Sequence, residues 1–160
     1  ISLHDNRRAL DWFEQMPEVD GSRLGAYGHS VGAYQCHELA AFDPRVRASV
    51  RVCWAGDFTR MLHRSGPRVL GVHFLMPTLH AHLHVPELVA LSQPNAVLIL
   101  NARGDAMYDM KAQEKIRRQV ERIARRQGRG DEVQWRYFDG PHRFPPEQQA
   151  DALAFFQRHL

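Results

Sequence analysis

The spacing of apolar positions divides the chain into helical and extended segments. Four segments have the apolar pattern of helices with one buried face: 6–16, Val31–Phe42, 111–127 and 146–160. Four short, largely apolar runs have the length of strands: 23–27, 46–54, 96–101 and Val133–Phe138. The run 96–101 is apolar up to its last residue, which is typical of a strand buried on both faces of a parallel sheet.

Helices and strands alternate along the chain, and this order predicts the fold class. We expect an α/β fold in which a parallel sheet of about four strands is flanked by helices on both faces. Residues 58–92 interrupt the alternation, because they contain three X–Pro pairs and only one short predicted helix, 86–91. We interpret 58–92 as an insertion that shapes a pocket. The 160 residues are otherwise predicted to form a single domain, 1–160.

The composition is that of an ordinary globular protein, with 44% hydrophobic and 24% charged residues. No apolar run has the length of a membrane span, and no basic segment followed by an apolar one opens the chain. We therefore expect a cytoplasmic protein without membrane association. The first residue is Ile1 rather than Met, which suggests a fragment or a processed product. Cys36 and Cys53 have apolar neighbours and are predicted to be buried thiols.

The net charge is +3, and much of the positive charge lies in 111–129. A basic face of this kind can attract nucleic acid. The segment has little aromatic interleaving and contains no nucleic-acid-binding motif. We interpret it as a solvated helix face and predict no nucleic-acid partner.

Residues 28–32, Gly-His-Ser-Val-Gly, stand between the first predicted strand and the following helix. A strand, one strained residue and a helix together form a nucleophile elbow. Ser30 would occupy the strained position, and we expect Gly28 and Gly32 to avoid a clash across the turn. The N–H of Val31, at the start of the helix, could then stabilise an oxyanion.

Two further polar residues follow other predicted strands at the same edge of the sheet. Asp105 comes after 96–101, and His142 comes after Val133–Phe138. Ligands of parallel sheets bind at the carboxyl ends of the strands. A histidine there can take the proton of Ser30, and an aspartate can orient that histidine. We predict Ser30, Asp105 and His142 as the catalytic residues, with Asp109 as the alternative acid.

Four residues are candidates for lining a substrate pocket: His29, Trp54, Phe58 and Phe74. Trp54 could instead pack in the core. His29 could instead have a packing or hydrogen-bonding role. The histidines at 80, 82 and 84 have a spacing that could suit a metal, but only Glu87 accompanies them as a further ligand type. We predict neither a metal nor a cofactor.

Five stretches, 17–20, 23–33, 43–46, 98–105 and 139–144, resemble the dienelactone-hydrolase and acetyl-xylan-esterase-like branch of the α/β-hydrolase superfamily. The resemblance implies a partial α/β-hydrolase fold, the C-terminal half of that domain. It implies the roles of nucleophile for Ser30, acid for Asp105, base for His142 and oxyanion donor for Val31. Dienelactone hydrolases have a cysteine at the elbow, so Ser30 favours hydrolysis of a small-molecule carboxylic ester.

The resemblance also implies strands before the elbow strand that 1–22 does not supply. The elbow strand would then lie at an exposed sheet edge, and such edges recruit partners. We expect self-association through this edge. We also expect weak esterase activity, because the loss of one oxyanion donor costs about 10²–10³ in rate. The alternative is a truncated, non-catalytic α/β-hydrolase-like module that acts by binding or association.

Overall fold

A four-stranded parallel sheet organises the chain. The computed structural model describes residues 2–65, 82–92 and 95–160. The elements follow in the order α1 (Ser2–Phe13), β1 (Leu24–His29), α2 (Val31–Phe42), β2 (Val46–Val52), α3 (Phe58–Ser65), α4 (Val85–Leu91), β3 (Ala96–Ala102), α5 (Met110–Arg126), β4 (Val133–Phe138) and α6 (Pro146–His159). The strand order in the sheet is β1-β2-β3-β4, which confirms the predicted fold class.

Successive residues of β3 point into two different cores, one on each face of the sheet. Val97 and Ile99 pack with residues of α2, α4 and α5. Leu98 and Leu100 pack with residues of α6. Both faces are therefore covered by helices, which explains why β3 is buried along its whole length.

The register places the carboxyl ends of the strands at one edge of the sheet. His29 of β1 pairs with Val52 of β2, and Val52 pairs with Leu100 of β3. Leu100 in turn pairs with Arg136 of β4. The loops that follow the four strands consequently leave the sheet on the same side.

Several boundaries differ from those predicted. Helix α1 begins before the predicted segment 6–16. It also ends earlier, because the residues after Phe13 form single turns before Pro17. Strand β1 extends to His29, since its pairing with β2 continues to the end of both strands. Helix α3 lies inside 58–92, where the sequence predicted no helix before residue 86. The insertion as a whole includes residues outside the described part of the chain and stays a prediction.

Strand β1 occupies one edge of the sheet, and its Tyr27 is 66% exposed. Self-association through this edge stays a prediction. Cys36 and Cys53 are both free and buried, as the sequence predicted. None of the described helices combines the length and the apolar character needed to cross a bilayer.

A buried carboxylate joins α1 to the turn between α2 and β2. The side chain of Asp43 accepts hydrogen bonds from Arg45 at 2.7 and 2.8 Å and from Arg7 at 3.2 Å. The bonds from Arg45, and then the smaller contribution of Arg7, hold the pKa of Asp43 below its ordinary value against the effect of burial. Asp43 thus stabilises the fold in its charged form.

Replacing Asp43 by asparagine is expected to lower the free energy of unfolding by about 2 kcal/mol at pH 7. Because the pKa of Asp43 is lowered in the folded state, its contribution is full above the unfolded pKa near 4 and is lost as the pH falls towards the folded value. The difference between parent and variant should therefore shrink in urea titrations below about pH 4. The control is Asp131→Asn, at an exposed position. A difference that stays constant across this range would contradict the prediction.

Candidate active site

The turn at Ser30 has the strained backbone that the elbow motif predicts. Ser30 has φ 57° and ψ −119°, a conformation that side-chain-bearing residues rarely adopt. Its N–H donates to the carbonyl of Val52 at 2.9 Å, and its carbonyl accepts from the N–H of Ala33 at 3.0 Å. The end of β2 and the first turn of α2 hold Ser30 in this conformation from both sides.

The two glycines of the motif have different roles. A Cβ atom on Gly28 would lie 2.1 Å from the backbone of Gly32 and 2.5 Å from the nitrogen of Ala33. A Cβ atom on Gly32 would meet nothing within 4 Å. The expectation that both flanking glycines avoid a clash is therefore wrong for Gly32. The close approach is between the Gly28 side-chain position and the backbone of the helix, so only Gly28 must lack a side chain.

Asp105 and His142 form a hydrogen-bonded pair. Nδ1 of His142 lies 2.7 Å from Oδ2 of Asp105. Asp105 is only 6% exposed. The other carboxylate oxygen accepts the N–H of Met107 at 2.8 Å. Both oxygens are thus engaged, which fixes the orientation of the carboxylate towards the imidazole.

Backbone hydrogen bonds hold the Asp105 and His142 loops together. The N–H of Arg103 donates to the carbonyl of Phe138 at 2.9 Å, and that of Gly104 donates to the carbonyl of Gly140 at 3.0 Å. A Cβ atom on Gly104 would lie 2.7 Å from the oxygen of Gly140. The absence of a side chain at Gly104 allows this close contact, which positions the acid beside the histidine.

His29 connects the Ser30 turn to His142. The two imidazole rings lie 4.8 Å apart between centroids. Burial, and then the neighbouring His142, lowers the pKa of His29 below its ordinary value. Within the described residues, no hydrogen bond joins the Ser30 hydroxyl to His142. Such contacts are often long in ligand-free enzymes and tighten only when substrate binds.

The remaining predicted site residues differ in position. Val31 is the first residue of α2, so its N–H has no partner within the helix. Trp54 is 1% exposed and packs against His37 at 4.4 Å and Phe58 at 5.3 Å between ring centroids. The pocket interpretation of Trp54 is therefore corrected to a core role, while Phe58 is partly buried beside it. Phe74 lies outside the described residues.

The alternative candidates have structural roles in the described part of the chain. Asp109 caps α5 by accepting the N–H of Ala112 at 2.8 Å, and it also accepts a hydrogen bond from Arg60. Asp105, rather than Asp109, pairs with His142. The N–H of His84 donates to Glu87 at 3.0 Å at the start of α4. The third histidine of that group, His80, lies outside the described residues.

The sequence did not indicate a special position for Cys53. This residue directly follows β2 and has φ 52°. Among the described residues other than glycine, positive φ occurs at Ser30 and Cys53. Its N–H donates to the carbonyl of Leu100 at 2.8 Å. Its thiol lies 3.5 Å from the carbonyl of Arg143. The pattern of apolar residues around Cys53 predicted its burial but could not show that the backbone turns the thiol towards the His142 loop.

Comparison with known proteins gives one sequence relative of note. No model of a known protein family matches the chain. The Bacillus subtilis (strain 168) protein named "Putative hydrolase YtaP" is 25% identical over 131 residues, which are 82% of this chain and 44% of that protein.

Solved structures share the architecture at lower identity. A promiscuous CE15 esterase from a marine bacterial metagenome superposes with a TM-score of 0.77 at 19% identity, over 99% of this chain and 47% of that one. A CE15 glucuronoyl esterase from Caldicellulosiruptor kristjansonii gives 0.76 at 18% identity, over 99% and 49%. The chain has part of the α/β-hydrolase fold. It spans about half the length of these proteins, and the finer assignment to the dienelactone-hydrolase branch stays a prediction.

Proposed function

We propose that this chain carries the catalytic residues of a serine hydrolase that cleaves carboxylic esters. The observation that carries the proposal is the 2.7 Å pair of Asp105 and His142, at the same edge of the sheet as the strained Ser30 turn. A serine nucleophile is activated by a histidine that a buried aspartate orients, and here such a histidine–aspartate pair lies at the same sheet edge as a strained serine.

Each residue of the proposed triad has a distinct role. His142 takes the proton of Ser30 as the Ser30 oxygen attacks the ester carbonyl. Asp105 keeps Nδ1 of His142 protonated and thereby leaves Nε2 as the base. The N–H of Val31 and the positive end of the α2 helix dipole stabilise the negative charge that develops on the carbonyl oxygen. His142 then protonates the leaving alcohol and activates the water that releases the acyl group.

The comparisons support an ester as the substrate class. Two structures with the same fold are described as esterases, and the sequence relative is named as a hydrolase. Ester cleavage by a serine needs no metal, because the imidazole supplies the base and the backbone supplies the oxyanion donor. A small-molecule ester is the substrate that we propose.

Labelling with a fluorophosphonate tests this proposal. The probe reacts with a serine hydroxyl only where a base activates it, so the folded chain should take up one label, mapped by mass spectrometry to the peptide that contains Ser30. The matched control is the same chain in urea, which should remain unlabelled. Absence of label on the folded chain, or label on a different serine, would reject the assignment and favour a binding module.

A further inference from the structure

Three potential metal ligands converge at the sheet edge that carries the Ser30 turn. One ring nitrogen of His29, the thiol sulfur of Cys53 and one ring nitrogen of His142 all lie within 4.8 Å of one another. The proposed hydrolysis uses only the last of these three groups. The other two therefore call for a separate explanation.

The fold builds this cluster from three different strand ends. His29 ends β1, Cys53 follows β2, and His142 lies in the loop after β4. The positive φ of Cys53 and its backbone hydrogen bond to Leu100 hold the residue in an otherwise unfavourable conformation. Because these elements belong to the sheet framework, the three side chains are held close together before any ligand binds.

In each residue of the cluster, the atom that could bind a metal makes no strong hydrogen bond to another described residue. Nε2 of His29 is buried and has no hydrogen-bond partner among the described residues, which is costly for a polar atom. The thiol of Cys53 makes a weak contact with the carbonyl of Arg143 at 3.5 Å. Nδ1 of His142 is held by Asp105, so Nε2 is the nitrogen of His142 that remains free to bind.

We propose that His29, Cys53 and His142 form a zinc site, and that zinc bound there inhibits the hydrolase by occupying the imidazole of His142. Two imidazoles and one thiolate are a zinc ligand set, and a water can complete the tetrahedron. A carboxylate on the far nitrogen of a zinc-binding histidine, the position of Asp105, strengthens such a ligand.

The geometry requires a small adjustment. Zinc at about 2.0–2.3 Å from each ligand atom requires those atoms to lie roughly 3.5 Å apart. They now lie within 4.8 Å of one another, so side-chain movements of about 1 Å would bring them to the distance that zinc requires. On binding, the thiol of Cys53 releases its proton to solvent and the thiolate forms the bond to zinc. Zinc binding stands on this cluster alone, whereas the inhibition rests on the proposed function.

Metal titration of the full chain tests the binding. Zn²⁺ added against a chromophoric chelator should bind with one-to-one stoichiometry, and Co²⁺ should give the charge-transfer absorption of a cobalt–thiolate bond. Cys53→Ser should remove that absorption, and His29→Gln should weaken zinc binding by at least about 10-fold. His29→Gln keeps the test decisive if Cys53→Ser fails to fold.

Matched controls are Cys36→Ala, at the other buried cysteine, and His4→Gln, at an exposed histidine. Both should bind zinc as the parent does. The site would be overturned if His29→Gln bound zinc with the affinity of the parent and if the parent showed no cobalt–thiolate absorption.

Ester turnover measured with and without Zn²⁺ tests the inhibition. The parent should lose turnover as zinc fills the site and recover it with a chelator, whereas His29→Gln should need at least about 10-fold more zinc for the same loss. Turnover that persists at full zinc occupancy would overturn the inhibitory role. Zinc binding without any turnover or fluorophosphonate labelling would instead reject the proposed function and leave the metal site standing, so the two failures are distinguishable.

Discussion

Asp105→Asn is expected to lower ester turnover by about 10⁴-fold. Oδ1 of Asp105 accepts the N–H of Met107 and Oδ2 faces Nδ1 of His142. An asparagine that keeps the first bond must point its NH₂ group at Nδ1. His142 would then carry its proton on Nε2, the nitrogen that has to act as the base. The measurement is kcat on an activated ester, with the free energy of unfolding determined in parallel.

The control for this prediction is Asp109→Asn, four residues further along the chain. Asparagine caps helices as well as aspartate does, so the variant should keep the helix start and change turnover little. The loss of the ion pair with Arg60, whose side chain is 45% exposed, affects a partly solvated contact of small energy. Equal loss of turnover in both variants would show that the loss does not arise from the pairing of Asp105 with His142.

The sequence predicted the sheet, and the sheet edge at which Asp105 and His142 meet, because both follow from strong local patterns. The buried run that became β3 and the Gly-rich turn at 28–32 have few alternative structures. Since all strands are parallel, residues that follow the strands must lie at one edge. The order of the strands therefore predicts that Asp105 and His142 lie near each other, before any contact between them is considered.

Features that depend on tertiary contacts could not be predicted in this way. Arg51 lies on β2, where alternation with apolar neighbours suggests a solvent-facing position, yet helices cover both faces and bury it. It donates to Ser49 and Ser92, each at 3.1 Å, and to His37. Burial lowers the pKa of Arg51 to about 10. No short-range pattern in the sequence shows that these partners, up to 41 residues apart, would meet.

The glycine contrast shows the same limit at shorter range. The motif presents Gly28 and Gly32 as equivalent flanks of Ser30, but the turn folds the position of Gly28 against the backbone of the helix. Gly32 lies on the outer side of the same turn. Which flank is crowded depends on the direction in which α2 leaves the turn, and the five residues alone do not specify that direction.

Gly28→Ala is therefore expected to lower the free energy of unfolding by at least about 3 kcal/mol. The added methyl group would lie 2.1 Å from backbone atoms of Gly32 and 2.5 Å from the nitrogen of Ala33. Backbone atoms cannot rotate away as a side chain can, so β1 and α2 would have to separate or the turn would have to reopen. Urea unfolding followed by circular dichroism measures the loss.

Gly32→Ala provides the matched comparison, since the same methyl group is added four residues away. Its Cβ would meet nothing within 4 Å, and alanine is favoured over glycine in a helix by up to about 1 kcal/mol. We expect stability equal to or slightly above that of the parent. A loss in Gly32→Ala as large as that in Gly28→Ala would mean that both glycines are needed for the turn itself. The contact between Gly28 and the backbone of α2 would then not be the reason for a glycine at position 28.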